Sequence, residues 1–131
     1  SMSQFVANRF IKLLIKNDCK VQGARVLVLG ITFKENCPDI RNSKAIDLIA
    51  ELVDFGLDVD VYDPVADRDE VYQEVGISLL GSDKAPDLAS YKGVLHVVAH
   101  AEFHSLPLDT NKDRLVIFDV KGTLGSFTDR L

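Results

Sequence analysis

Residues 4–17, QFVANRFIKLLIKN, repeat apolar positions at helical spacing, with Val6, Phe10, Leu13 and Leu14 on one face. Phe5, Ile11 and Ile15 leave only a narrow polar strip, so this helix wants burial on more than one side. RVLVLG, 25–30, is apolar without alternation, as a strand buried in a parallel sheet requires. SKAIDLIAELVDF, 43–55, predicts a helix with Ala45, Leu48, Ile49 and Leu52 on one face. Asn42 or Ser43 can cap its start and Gly56 closes its end. DVDVYD, 58–63, alternates, so the second strand has one polar flank. After Asp63-Pro64, residues 66–75 predict a short helix ending at Gly76, and GVLHVVA (93–99) and RLVIFDV (114–120) predict two more buried strands.

Strands alternating with helices indicate βαβ units: an α/β, Rossmann-like parallel sheet flanked by helices, in a single domain. Ligands of such folds gather at the carboxyl ends of the strands. The loops that follow Gly30, Tyr62, Ala99 and Phe118 therefore carry the candidate chemistry.

Length adds that 131 residues make one domain. No apolar run approaches the ~18–20 residues that span a bilayer. The start SMSQFVANRF lacks a secretory layout, Ser1–Met2 reads as a tag remnant, and two cysteines suit a reducing, cytoplasmic setting. A net charge of −5 argues against nucleic acid. The charge is uneven, however. Residues 1–44 carry eight Lys/Arg against three Asp/Glu, and residues 45–131 carry seven against seventeen. A basic first third suggests a local site for a small anion, although Arg9, Lys12, Lys16 and Lys20 read as the solvated stripe of the first helix.

The segment GITFKENCPDIRNSKAIDL, 30–48, runs from the first strand into the strongest helix. It has one glycine where a dinucleotide fingerprint needs three, so long side chains must do what backbone does elsewhere. Lys34 and Arg41 beside a helix N-terminus can cradle a phosphate, or can pair on the surface with Glu35 and Asp39. Lys121, in FDVKG, arrives at the same sheet edge. Asp63 occupies the place of a ribose-binding acid, but Asp-Pro after a strand is more often a turn former. Cys37 lacks a base placed beside it, and pairing with Cys19 does not suit the cytoplasm. His96, His100 and His104 stand four apart, yet in a β-branched strand that spacing does not align metal ligands; His96 reads as a hydrogen-bonded strand residue.

VLVLGITFKENCPDIRNSKAIDLIAEL, then VDVYDP, HVVAHAEFHSL and IFDVKG, strongly resemble the C-terminal domain of the UDP-glucose/GDP-mannose dehydrogenase family over nearly the whole chain. FKENCPDIRNS with AHAEF is most similar to the bacterial UDP-N-acetylhexosamine 6-dehydrogenases that supply uronic acids to surface polysaccharides. The resemblance implies that Phe33, Lys34 and Lys121 contact the UDP-sugar and that Arg41 reaches the phosphates of NAD across an interdomain cleft. Lys121 stands where relatives carry Arg or Lys, and a lysine lacks the bidentate fork. The resemblance further implies an active cysteine and an NAD-binding domain outside this chain, so the chain alone would be inactive and carries no catalytic residue. Residues 1–22 would be the end of a central dimerisation region and 23–131 the UDP-sugar-binding domain, in a full-length homodimer without a nucleic-acid, membrane or metal partner. The competing reading is a stand-alone Rossmann-like module that binds a small anion without catalysis.

Overall fold

A computed structural model describes residues 1–131. Helix α1 (Met2–Lys16) precedes strand β1 (Arg25–Leu29), helix α2 (Lys44–Asp54), strand β2 (Asp58–Tyr62) and helix α3 (Arg68–Val75). Strand β3 (Gly93–His96), the short helix α4 (Leu108–Asn111), strand β4 (Val116–Asp119) and strand β5 (Asp129–Arg130) follow, with 3₁₀ turns at 88–90 and 101–105. All four strand pairings are parallel, in the order β2-β1-β3-β4-β5. The expected α/β Rossmann-like sheet is thus present.

The two faces of the sheet are covered differently. Val26, Val28, Leu95 and Phe118 face α1 and α2 in the larger core. Leu27, Leu29, Val94 and Ile117 face the 3₁₀ turns and α4, where Phe103, Leu106 and Leu108 close a smaller one. Helix α1 belongs to the first core: Val6, Ala7, Phe10, Ile11 and Leu14 are buried, and Phe10 and Leu14 lie so close to Gly93 that a Cβ there would stand 2.8 Å from the Phe10 ring. Met2, Phe5 and Ile15 of the same helix remain exposed.

Element ends depart from the periodic reading where side chains or loops capture the backbone. Strand β3 stops at His96 instead of Ala99, because Val97 and Val98 both send their N–H groups to the Leu29 carbonyl. Helix α3 begins at Arg68 instead of residue 66: the Asp63 carboxylate holds the N–H groups of Val65 and Ala66 in a turn, and Asp67 caps the helix by accepting from Glu70 N–H. Strand β4 is trimmed to 116–119. Strand β5 is a two-residue polar pairing with no apolar pattern to announce it.

Candidate functional site at the carboxyl edge

The parallel strands end together, and four loops meet at that edge. Gly30 follows β1 with φ +103°, and a Cβ on it would lie 2.5 Å from the Val98 Cβ. Only glycine fits there, because the space a side chain would take is filled by Val98.

Asp63 leaves the end of β2 with its side chain fully buried. Oδ2 accepts from Ile31 N–H (2.8 Å), Thr32 N–H (3.3 Å) and His100 Nε2 (3.0 Å); Oδ1 accepts from Val65 N–H (2.9 Å) and Ala66 N–H (3.0 Å). Burial pushes the carboxyl up, and the bonds from His100, Ile31 and Ala66 outweigh it, holding Asp63 below its ordinary range. With both oxygens saturated, Asp63 has nothing left for a ribose. Of its two readings the turn former prevails, enlarged into an anchor for the β1 loop.

Asp119 does the same at the end of β4. It accepts from Gly122 N–H and Leu124 N–H (both 2.9 Å), from Arg130 Nε (3.3 Å), and from His96 Nδ1 (2.8 Å). Burial raises this carboxyl as well, and the bonds from His96 and Leu124 bring it below its ordinary value. Burial pushes His96 down more than Asp119 pushes it up, so His96 is a neutral imidazole donating Nδ1–H. Its Nε2 is buried without a partner. His96 is the hydrogen-bonded strand residue expected of it. Both histidine rings touch Phe103, whose centroid lies 5.6 Å from His96 and 5.4 Å from His100.

The lysines named from the sequence ride on these loops. Lys34 and Lys121 are exposed and stand outside every ion pair of the chain. They follow β1 and β4, two strand spacings apart, a separation of about 10 Å at the strand ends. Phe33, beside Lys34, is 55% exposed. Arg41 behaves otherwise. Its guanidinium takes Asp39 through Nη2 to Oδ2 (2.7 Å) and Nε to Oδ1 (3.0 Å), and its own N–H adds a third bond. That side-chain contact, reinforced by the backbone one, draws the Asp39 carboxyl down to about 2. The surface pairing that competed with anion binding is therefore realised for Arg41 and not for Lys34. The Arg41 side chain is still 84% exposed and reaches outward from the loop. Cys19 and Cys37 are both free thiols, and neither is hydrogen-bonded to a histidine.

A cleft of about 900 Å³ lies at the opposite edge, among Asp18, Lys20, Arg25, Lys92 and Thr128. Its Arg25 is already bound to Asp60 at 2.7 Å and stacked on Tyr91. That cleft also holds Lys20 and Lys92 outside every ion pair; the carboxyl edge is preferred because it carries Lys34 and Lys121 on aspartate-anchored loops at the strand ends, where ligands of such folds gather.

The two Asp–His pairs were missed in the sequence because 37 and 23 residues separate their members. The available signal was an aspartate closing each of two strands, in VYDP and IFDV, with histidines at both ends of HVVAH.

Fold and edge together define a Rossmann-like domain that presents two unpaired lysines on aspartate-anchored loops. The profile of the UDP-glucose/GDP-mannose dehydrogenase family, UDP binding domain, matches residues 27–126, and the chain belongs to that family. It is 37% identical over 124 residues to a UDP-N-acetyl-D-glucosamine 6-dehydrogenase of Pseudomonas aeruginosa, covering 92% of this chain and 29% of that protein. It is 40% identical over 129 residues to Protein CapL of Staphylococcus aureus, covering 96% and 30%. Among solved structures, the UDP-N-acetyl-mannosamine dehydrogenase Cap5O from Staphylococcus aureus superposes with a TM-score of 0.70 at 30% identity, over 100% of this chain and 30% of that one. The chain thus spans under a third of the length of these relatives.

Proposed function

We propose that this domain binds the UDP moiety of a nucleotide sugar and serves an NAD-dependent 6-dehydrogenase that oxidises the sugar C6 alcohol to a carboxylate for surface polysaccharides. Lys34 and Lys121 hold the phosphates, and Phe33 offers a face to the nucleotide or sugar. Two unpaired lysines at one sheet edge, each on a loop organised by a buried aspartate, carry the proposal. The β1 loop has one glycine where a dinucleotide fingerprint needs three. NAD would be held by another domain and would supply the hydride acceptor there, with the outward Arg41 as this chain's contact with its phosphates. The exposed Met2, Phe5 and Ile15 suit α1 to packing on the rest of the polypeptide or on a second subunit in a cytoplasmic homodimer.

Isothermal titration with UDP and UDP-N-acetylglucosamine tests this. Lys34→Ala and Lys121→Ala should each weaken binding about tenfold, the effect of losing one charge-assisted hydrogen bond. Absence of binding by the folded chain, or binding indifferent to both substitutions, would overturn the proposal. Pyrophosphate bound as tightly as UDP would favour a general small-anion module instead.

A further inference from the structure

Phe33 and Lys34 lie on an exposed loop, yet the backbone on both sides of them is tied into the interior. Before them, Thr32 is buried; its N–H goes to Asp63 Oδ2 (3.3 Å) and its hydroxyl donates to the Lys34 carbonyl (3.0 Å). With that proton committed, Thr32 Oγ1 accepts from His100 Nε2 (3.1 Å). After them, Asn36 N–H donates to His100 Nδ1 (2.9 Å), and Asn36 Oδ1 accepts from Ala101 N–H (3.1 Å). A ring nitrogen that accepts carries no proton. Nε2 therefore bears the hydrogen, shared between Asp63 Oδ2 at 3.0 Å and Thr32 Oγ1. The loop and the carboxylate together set the tautomer.

A buried Asp–His pair is often no more than core structure. The landing points of this one argue for something further. Besides its bonds to residues 31, 65 and 66, it reaches residues 32 and 36, which bracket Phe33 and Lys34, and every polar atom of the pair is used. From this bracketing we infer that Asp63 and His100 are positioning residues. They hold the Phe33–Lys34 segment in its ligand-competent shape before any ligand arrives, so that binding does not have to order the loop. The inference rests on the proposed UDP site. Neither residue touches the ligand, since both side chains are fully buried; they act through Thr32 and Asn36 on either side of the segment.

The two halves of the imidazole can be removed separately. His100→Gln keeps a donor toward Asp63 and loses the acceptor for Asn36 N–H; His100→Asn does the reverse. In the 131-residue chain, His100→Gln should speed hydrogen exchange at the amides of residues 33–36, leave the strand amides unchanged, and weaken UDP about tenfold. On a Lys34→Ala background the same substitution should cost UDP binding less than it does alone, because the lysine it positions is gone and only Phe33 remains. A role in stability alone predicts a lowered melting temperature with unchanged affinity of the folded protein, or penalties that add, and either result overturns the inference. Should the His100 variants not fold, Asn36→Gly is the substitute. It is exposed, has φ +57°, and keeps its N–H while losing the tie to Ala101. It should move exchange and affinity the same way by a smaller factor, and no movement counts against the positioning role. If the unaltered chain binds no UDP, the reading of the site falls by that result. Exchange at residues 33–36 then still decides whether the pair holds the loop.

Discussion

Two buried His–Asp pairs stand at one edge of this sheet and share one aromatic wall, Phe103. In the His100–Asp63 pair both ring nitrogens and both carboxylate oxygens are engaged, and the partners belong to the loop that carries Lys34. In the His96–Asp119 pair the carboxylate is equally busy, but His96 Nε2 meets no donor. The residue types are the same and the surroundings differ. His100 sits where three loops converge and backbone N–H groups are within reach, whereas His96 closes a strand beneath an apolar ring. A pair of this kind is thus defined by what the second nitrogen finds. For His100 it finds a loop; for His96, nothing.

Removing the aspartate of the first pair should have the largest effect. Asp63→Ala strands four backbone donors and His100 in the interior, and should lower unfolding stability by about 3–5 kcal/mol in urea titrations. A loss under about 1 kcal/mol would mean that water replaces the carboxylate and that the anchor is dispensable.

Replacing each histidine with an apolar residue of similar bulk separates the two pairs. His100→Leu leaves Asn36 N–H without its acceptor and should cost about 2–3 kcal/mol. His96→Leu removes an orphaned nitrogen while Asp119 keeps three donors, and should stay within about 1 kcal/mol of the original. Equal losses at the two positions would erase the distinction.

The smallest effect is in pH dependence. His96 is held neutral by burial, so its proton affinity is lower in the folded than in the unfolded chain. Below about pH 6.5 the unfolded chain takes up a proton that the folded chain refuses, and stability declines on acidification through that range. The Asp63 and Asp119 carboxyls are depressed instead; their contribution is present above about pH 4 and is lost as pH falls below it. Denaturation midpoints measured from pH 7.5 to 3 should therefore fall in two stages. His96→Leu should shrink the first stage and spare the second. A first stage unchanged by His96→Leu would assign it to another group.

Much of the framework was readable along the chain. Apolar runs without alternation at 25–30, 93–99 and 114–120 required a buried parallel sheet, and the helical face of 43–55 required a partner layer. Lys34, Arg41 and Lys121 were readable as candidates because they follow strand positions, and a parallel sheet brings all such loops to one edge. Strand β5 was not readable, since Asp129 and Arg130 pair only because β4 offers them an open edge.

The tertiary structure alone decided how these polar groups are used. Lys34 and Arg41 lie seven positions apart on one loop with acidic neighbours, yet only Arg41 is claimed by one of them. Asp63 could have faced a ligand, and instead spends both oxygens inside. The physical reason is one of range. Periodicity and strand ends are local properties carried by neighbouring side chains, whereas a hydrogen bond is made or lost within a few tenths of an ångström between groups that the fold brings from 23 or 37 residues away.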